Sequence, residues 1–394
     1  MFMLFSLALI FLCAMLLGSI FQRLHLPPLL GMLITGILLG PSVLNLLDPS
    51  ILSISADLRK IALIIILTRA GLNLNLEDLK KVGRPAFLMC FLPASMEIIG
   101  MLLLAPPLLG LGLLEAGILG TVVAAVSPAV VVPKMLQMME NGRGTAQGIP
   151  QLIMAGASAD DVYVIILFTS LLGLAQSGSF AAVDLLRIPT SMVLGLAGGI
   201  LCGVALANFF KRFHIRDSAK VVIILSISFL LATLEDQMTG IIGFSGLLAV
   251  MSMGISLQRC RREVAVRLSS KYSKLWVAAE LLLFVLVGAA VDIQYAAQVG
   301  VKAIVLLLGV LVFRMFGVFL SLLGTHFTGR ERLFCMLAYT PKATVQAAIG
   351  SLPLSAGLAC GNIVLSVAVV AILLTAPLGA LMIDLAQPLV MSKK

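Results

Sequence analysis

Hydrophobic residues in this chain form long runs that follow one another from end to end, with short polar links between them. A helix needs about 20 apolar residues to cross the hydrocarbon core of a bilayer, and most of these runs have that length. The pattern predicts about thirteen membrane spans, some of them short or broken. They are expected near residues 2–21, 27–46, 57–74, 86–108, 112–138, 149–175, 188–210, 219–234, 238–257, 273–291, 298–324, 331–351 and 360–388. No link is long enough for a sizeable soluble domain, so the predicted fold class is an all-α polytopic membrane protein.

The composition of the chain is that of a membrane protein. Of its 394 residues, 60% are hydrophobic and 11% are charged, and the mean hydropathy is +1.14. A soluble domain carries about 25% charged residues. The first run has no positive charge before it and no small-residue cleavage site after it, so we expect a transmembrane helix there rather than a signal peptide.

The net charge of +9 is distributed unevenly across the predicted membrane. When alternate links are assigned to opposite sides, most of the 27 lysine and arginine residues fall on one side. Basic links face the cytoplasm, which predicts an N-terminus outside and a C-terminus inside. A plasma membrane is expected, and the compact chain suits a bacterial inner membrane. Topology then explains the basic surplus, and nucleic-acid binding is not predicted.

Two of the predicted spans contain a hydroxyl–proline pair near the middle. Ser127 precedes Pro128 in the fifth span, and Thr340 precedes Pro341 in the twelfth. Proline removes a backbone donor and clashes with the preceding turn, so each span is expected to be broken there. The two spans differ by an odd number in the chain order and therefore run in opposite directions. This arrangement is typical of an inverted repeat, in which broken helices place a substrate site near the bilayer midplane.

Asp160 and Asp161 lie side by side in the middle of the sixth span. One charge at the bilayer centre costs roughly 2.5–3.5 kcal/mol, which makes a tandem pair a candidate functional site. Two adjacent carboxylates disfavour simultaneous ionisation and so favour binding of a proton or a small cation. Their hard oxygens also suit alkali cations. Competition between the two ions for this pair predicts a cation–proton antiporter, and a structural network with Lys342 and nearby hydroxyls is the alternative role.

Three of the other charges inside predicted spans bear on this site. Glu97 is central in the fourth span and Arg314 in the eleventh, and an unpaired charge at either place would be costly. We therefore predict a structural ion pair between them. Lys342 follows the second break, where it is expected to offset the negative C-terminal end of a half-helix or, alternatively, to bind Asp160.

Several stretches of the chain resemble the NHA-type sodium/proton antiporters of the monovalent cation–proton antiporter superfamily. They include both proline breaks and the aspartate pair, at residues 67–74, 126–135, 148–161, 280–288 and 340–350. The resemblance implies that Asp161 binds Na⁺ or Li⁺ in exchange for a proton, with Asp160 beside it and oxygens from Ser127 and Ser158. It also implies a homodimer in the lipid bilayer, whose core domain moves relative to its scaffold domain like an elevator.

The same resemblance predicts the domain organisation and the stoichiometry. Scaffold or dimerisation helices are expected at 1–84 and 217–295, core helices at 85–176 and 296–394, and a linker helix at 177–216. In electrogenic relatives a lysine takes the place of Arg314 and pairs with the first aspartate. Here Glu97 is available to the arginine, as in the animal-type NHA proteins, which implies a less constrained Asp160 and electroneutral 1:1 exchange.

Other classes of protein fit the sequence less well. An intramembrane aspartyl protease needs its two acids on separate helices, whereas these lie on one, so an enzyme is not expected. A cation channel would use rings of charge or carbonyls around a symmetric pore rather than broken inverted repeats. The six cysteines have no paired or metal-ligand spacing, and no cofactor is predicted. A K⁺/H⁺ exchanger or a proton-coupled organic-ion carrier on the same scaffold stays open, because one chain does not reveal the size of the cation site.

Overall fold

The computed structural model describes residues 3–73, 83–141, 143–144, 147–177, 182–238 and 244–390 of the chain. Within these residues the regular structure is helical and contains no β-strand, which confirms the predicted all-α fold. In chain order the α-helices are α1 Met3–Arg23, α2 Pro28–Leu39, α3 Pro49–Ser53, α4 Ser55–Asn73, α5 Arg84–Met89, α6 Leu92–Leu109, α7 Leu113–Ala124, α8 Pro128–Glu140, α9 Ile149–Ser177, α10 Ala182–Arg212, α11 Asp217–Met238, α12 Gly246–Cys260, α13 Arg262–Ala289, α14 Ile293–Ser321, α15 Gly329–Ala338, α16 Thr344–Ile349, α17 Leu352–Ser355 and α18 Gly361–Ala386. A short 3₁₀ helix follows at Gln387–Val390.

Nine helical segments of the described chain are long and apolar enough to cross a membrane. They are Met3–Arg23, Arg84–Leu109, Leu113–Met139, Ile149–Gln176, Val193–Arg212, Asp217–Glu235, Arg262–Ala289, Ala297–Ser321 and Gly361–Ala386. The other predicted spans correspond to helices that are shorter, more charged or interrupted, namely α2, α4, α12 and the α15–α16 pair. The chain is therefore a multi-pass membrane protein, whereas the full number of spans and the inverted repeat stay predictions.

The described residues within Met1–Ala56, Glu77–Val164 and Leu281–Lys394 form one compact unit. In this unit α6 packs along α14 and α7, and α18 packs against α14 and α15. Glycines allow α6 and α14 to approach closely, as small residues do between membrane helices. A Cβ on Gly317 would lie 2.7 Å from the Cα of Pro93, so a larger residue there would push the helices apart. This close contact brings Glu97 of α6 to Arg314 of α14.

A hydrophobic core in the same unit fixes the positions of α5, α8, α9, α15 and α18. Its side chains are fully buried and include Met138, Ile153 and Phe334. Val126 and Tyr339, which lie between helices, belong to this core as well. The non-helical segments of the unit are therefore held by apolar packing as well as by hydrogen bonds.

The described residues within Asp57–Leu76 and Ile165–Glu280 form a second compact unit. Here α12 packs along α10 and also contacts α11. The hydroxyl of Tyr272 donates a hydrogen bond to the carbonyl oxygen of Val221 at 3.3 Å, which ties α13 to α11. Arg267 pairs with Asp217 at 2.9 Å on the surface. The predicted division of the chain into scaffold, linker and core segments stays a prediction.

Candidate functional site

Both hydroxyl–proline pairs lie at interruptions between helices. Residues 125–127 separate α7 from α8, and residues 339–343 separate α15 from α16. Pro128 occupies the first position of α8, where its missing N–H costs no helical hydrogen bond. The backbone N–H of Ser127 donates to the carbonyl oxygen of Pro341 at 2.8 Å, so the two breaks are in direct contact.

The first break leaves carbonyl oxygens without partners inside their own helix. Gln346 of α16 donates from Nε2 to two of them, those of Val123 (3.1 Å) and Ala125 (2.9 Å). Its side chain is fully buried, so the amide supplies the hydrogen bonds that water cannot provide there. No role for Gln346 is predicted from the sequence, and the signal that marks it is its position just after the second break.

The carbonyl oxygen of Ala124, the last residue of α7, accepts hydrogen bonds from two cations. Nη1 of Arg314 and Nζ of Lys342 both donate to it, the lysine at 3.3 Å. Cations at this place offset the negative end of the α7 dipole. Lys342 therefore lies at the C-terminal end of a half-helix, as predicted. That half-helix is α7 of the first broken span, whereas Lys342 itself belongs to the second. Its backbone N–H donates to Oγ1 of Thr375 at 2.9 Å.

Four charged side chains form a fully buried cluster beside the breaks. Nη1 of Arg314 lies 2.8 Å from Oε2 of Glu97, and Nη2 lies 2.8 Å from Oδ2 of Asp160. Nζ of Lys342 lies 2.6 Å from the same oxygen of Glu97. Two cations face two carboxylates, so the cluster has no net charge when all four groups are ionised. The predicted contact between Glu97 and Arg314 is present within it.

The expectation that this contact leaves Asp160 less constrained is wrong. Oδ2 of Asp160 accepts hydrogen bonds from Arg314 and from the backbone N–H of Val126, the latter at 2.9 Å. The reason is the shape of the guanidinium group, whose two terminal nitrogens bind a different carboxylate each. Lys342 contacts Glu97 and leaves Asp160 to the arginine.

Tyr339 fixes the guanidinium group of Arg314 in this position. Its carbonyl oxygen accepts a hydrogen bond from Nε, and its ring centroid lies 5.0 Å from Cζ. The hydroxyl of Tyr339 in turn donates to the carbonyl oxygen of Met89 at 3.1 Å. A cation over an aromatic face is stabilised by the ring, so the arginine is held by backbone, ring and carboxylates together.

Asp161 differs from Asp160 in its lack of partners. It is the next residue of α9, turned by about 100° around the helix axis, and it is half-buried. Its Oδ1 is buried and makes no hydrogen bond with the described residues. The ion pairs formed by the described part of the chain do not include it. A buried carboxylate oxygen without a partner is costly, which makes Asp161 a candidate for binding a proton or a cation.

Further buried oxygens without partners among the described residues lie at the two breaks. They are Oγ of Ser127, Oγ1 of Thr344 and the second carboxylate oxygen of Asp160, Oδ1. Hydroxyl and carboxylate oxygens are ligands of alkali cations. Ser127 directly follows Val126, whose N–H binds Asp160, so the hydroxyl and the carboxylate belong to one connected segment.

Two predicted site residues contribute nothing that the structure shows at the charged cluster. Oγ1 of Thr340 donates to the carbonyl oxygen of Leu337 at 2.8 Å and closes the end of α15. Ser158 belongs to α9, but its side chain lies outside the described residues, so its role stays a prediction. In the part of the chain that the structure describes, no three His, Cys, Asp or Glu side chains are placed to hold a metal ion. A cation at the aspartate pair would therefore also need hydroxyl, carbonyl or water oxygens.

Known proteins resemble this chain in sequence and in fold. The family model described as "Sodium/hydrogen exchanger, transmembrane" matches residues 7–385. Human sodium/hydrogen exchanger 9B2 is 35% identical over 416 aligned positions, which cover 99% of this chain and 75% of that protein. Human sodium/hydrogen exchanger 9B1 is 32% identical, with 99% of this chain and 78% of that protein covered. The structure of the sodium proton antiporter MjNhaP1 from Methanocaldococcus jannaschii at pH 8 has the same fold, with a TM-score of 0.82 and 20% identity over 98% of this chain and 96% of that one.

Proposed function

Since this chain belongs to the sodium/hydrogen exchanger family, whose members are membrane transporters rather than enzymes, we propose that it exchanges Na⁺ or Li⁺ for protons at the Asp160–Asp161 pair. The family supports cation–proton antiport, and the geometry of the buried site supports the choice of residues. The transported ions are substrates, and no cofactor takes part in the proposed exchange.

The observation that carries the proposal is the difference between the two aspartates. The charges of Glu97, Asp160, Arg314 and Lys342 cancel within their cluster when all four groups are ionised. Asp161 has a buried oxygen without a partner among the described residues, so its charge has to be neutralised by an ion from solution. A proton or one monovalent cation does this, and the two exclude each other. Oδ1 of Asp160 and the hydroxyls of Ser127 and Ser158 are the proposed additional ligands.

Competition for Asp161 couples the two fluxes. The empty carboxylate is an uncompensated charge in the membrane, so the site changes sides at low cost only when a proton or a cation occupies it. Broken helices at the midplane, moved as a body relative to the rest of the protein, give alternating access. By its resemblance to known antiporters, we infer an elevator movement of a core domain against a scaffold domain, in a homodimer.

We propose that the exchange is electroneutral, with one cation moved for each proton. One carboxylate accepts one positive charge from either ion. In this proposal Asp160 adds no second charge, because its Oδ2 is paired with Arg314, which does not release its proton. From the basic links we place the N-terminus outside and the C-terminus in the cytoplasm, in a plasma membrane of the bacterial inner-membrane type.

Proton movement in proteoliposomes tests the proposal. Na⁺, Li⁺ and K⁺ are added in turn to liposomes that carry a pH dye and contain the wild type, Asp161→Asn or Asp384→Asn. The last is the matched control, because it makes the same change at an exposed pair with Lys134 (2.6 Å). We expect proton release on adding Na⁺ or Li⁺ with the wild type and the control, and none with Asp161→Asn. A response to K⁺ alone would contradict the proposed cation, and full activity of Asp161→Asn would contradict the proposed site.

A further inference from the structure

We propose that Gln346 is a positioning residue for the aspartate pair, which it controls through one peptide group of the first break. The inference rests on the proposed function, since it concerns how tightly the pair binds its cation. It adds a residue whose side chain contacts neither aspartate.

The peptide group between Ala125 and Val126 is bonded on both sides. Its carbonyl oxygen accepts a hydrogen bond from Nε2 of Gln346 at 2.9 Å. Its N–H donates to Oδ2 of Asp160, also at 2.9 Å. The atoms of a trans peptide group lie close to one plane, with C=O and N–H pointing in opposite directions. The hydrogen bond on the glutamine side therefore fixes the direction of the N–H that holds the aspartate.

The second hydrogen bond of the glutamine prevents the segment from turning. Nε2 also donates to the carbonyl oxygen of Val123 at 3.1 Å, within the last turn of α7. One amide thus holds two carbonyls on either side of Ala124, the residue at which the helix ends. Oε1 of Gln346 is buried and has no partner in the described part of the chain, so the hydrogen bonds of this side chain are all made to the break.

Loss of the amide would act on cation affinity rather than on the movement of the site. The peptide group between Ala125 and Val126 lies outside α7 and α8, and the backbone hydrogen bonds of Ser127 anchor the chain only one residue beyond it. Without Gln346 the group can rotate, and Asp160 then keeps Arg314 but loses its backbone donor. The carboxylate can then rotate while it keeps its hydrogen bond to Arg314, so the positions of the oxygens that bind the cation are no longer fixed. A preorganised site binds more tightly than one that has to be ordered by its ligand.

Transport kinetics of Gln346→Leu test this inference. The matched control is Gln387→Leu, which removes an amide that accepts a hydrogen bond from Arg143 at 3.1 Å near the end of the chain. For Gln346→Leu we expect the half-saturating Na⁺ and Li⁺ concentrations to rise roughly three- to tenfold, as for one weakened hydrogen bond to a charged group. The maximal rate per folded protein should stay within about twofold of the wild type, and the control should match the wild type in both.

A second variant distinguishes a loss of positioning from a loss of folded protein. Gln346→Glu keeps the volume of the side chain but offers at most one donor for the two carbonyls, so it should raise the half-saturating concentration as well. A purely structural role would lower the amount of folded protein and leave the half-saturating concentration unchanged, and this result in either folded variant overturns the inference. A wild type that releases no protons on addition of Na⁺ or Li⁺ would instead contradict the proposed function, and the inference would fall with it.

Discussion

Arg314 binds Asp160 through Nη2 and Oδ2 at 2.8 Å, and both side chains are fully buried. The other terminal nitrogen of the same guanidinium group binds Glu97 at 2.8 Å. One arginine therefore bridges two acids that lie on different helices, α6 and α9, and Lys342 supplies the second positive charge through Glu97. Because arginine does not release its proton, both contacts belong to the fixed framework of the site. Asp161 lies outside this framework, which is why we propose it as the group that exchanges the proton.

Arg314→Ala is expected to destabilise the protein strongly. The substitution leaves two buried carboxylates without their shared cation, and breaking a buried ion pair costs about 3–5 kcal/mol. The matched control is Arg267→Ala, since Arg267 also pairs with an aspartate at 2.9 Å but is 52% exposed. Exposed pairs contribute only about 0–1 kcal/mol. Melting temperatures of the purified variants in detergent should fall clearly for the first and change little for the second, and equal values would contradict the buried cluster.

The two aspartates should differ in their effect on stability when each is changed to asparagine. Asp160→Asn removes a charge from the pair with Arg314 and leaves the cluster with a surplus cation. We expect a loss of about 1.5–3 kcal/mol, the usual worth of a hydrogen bond to a charged group. Asp161→Asn removes a carboxylate that forms no ion pair with the described residues, so its melting temperature should equal or exceed that of the wild type. Equal losses for both variants would show that the two acids share one structural role.

Local chemistry made some of this site predictable from the sequence. Pro128 and Pro341 mark the breaks, because proline removes a helical hydrogen bond and follows a hydroxyl residue at both places, whereas Pro133 and Pro377 lie inside continuous helices. Charges such as Glu97 and Arg314 stand out because their apolar neighbours predict a place inside the membrane. The ends of helices are harder to predict from the sequence. The apolar run that begins at residue 27, for example, continues past the end of α2. That helix stops at Leu39 because Pro41 keeps the preceding Gly40 extended, with ψ at 174°.

The pairing of side chains across helices could not be predicted in the same way. Which carboxylates reach Arg314 depends on how closely α6 and α14 approach, and glycines such as Gly317 set that distance. The role of Gln346 depends on two carbonyls more than 200 residues away, at separations of 223 and 221 residues. Nothing in the local pattern of polar and apolar positions encodes such contacts. These contacts form only because the fold brings the two breaks together through Ser127 and Pro341.

The half-saturating Na⁺ concentration should depend on pH in a simple way. If a proton and a cation compete for Asp161 alone, each cation bound displaces one proton. Lowering the pH through the range in which Asp161 is protonated should then raise the half-saturating concentration by about tenfold per pH unit. The measurement is the initial rate of exchange in proteoliposomes at several pH values, and it reports on cation binding rather than on the stability of the protein. A rise near hundredfold per unit would mean that two protons compete, and that Asp160 titrates with its neighbour.

Exchange should also be independent of the membrane potential. If Asp161 carries one positive charge across the membrane in either direction, as a proton or as Na⁺, a complete cycle moves no net charge. An uncompensated cycle would instead couple to voltage by about 2.3 kcal/mol per charge for each 100 mV. The measurement is the Na⁺ gradient at which proton flux reverses, in liposomes with a K⁺ gradient and valinomycin. The same K⁺ gradient without valinomycin is the control, because any transport of K⁺ itself affects both samples. We expect the same reversal point in both, where the Na⁺ and H⁺ concentration ratios are equal. A shift that appears only with valinomycin would require a second exchanging charge, and Asp160 would have to leave Arg314 to provide it.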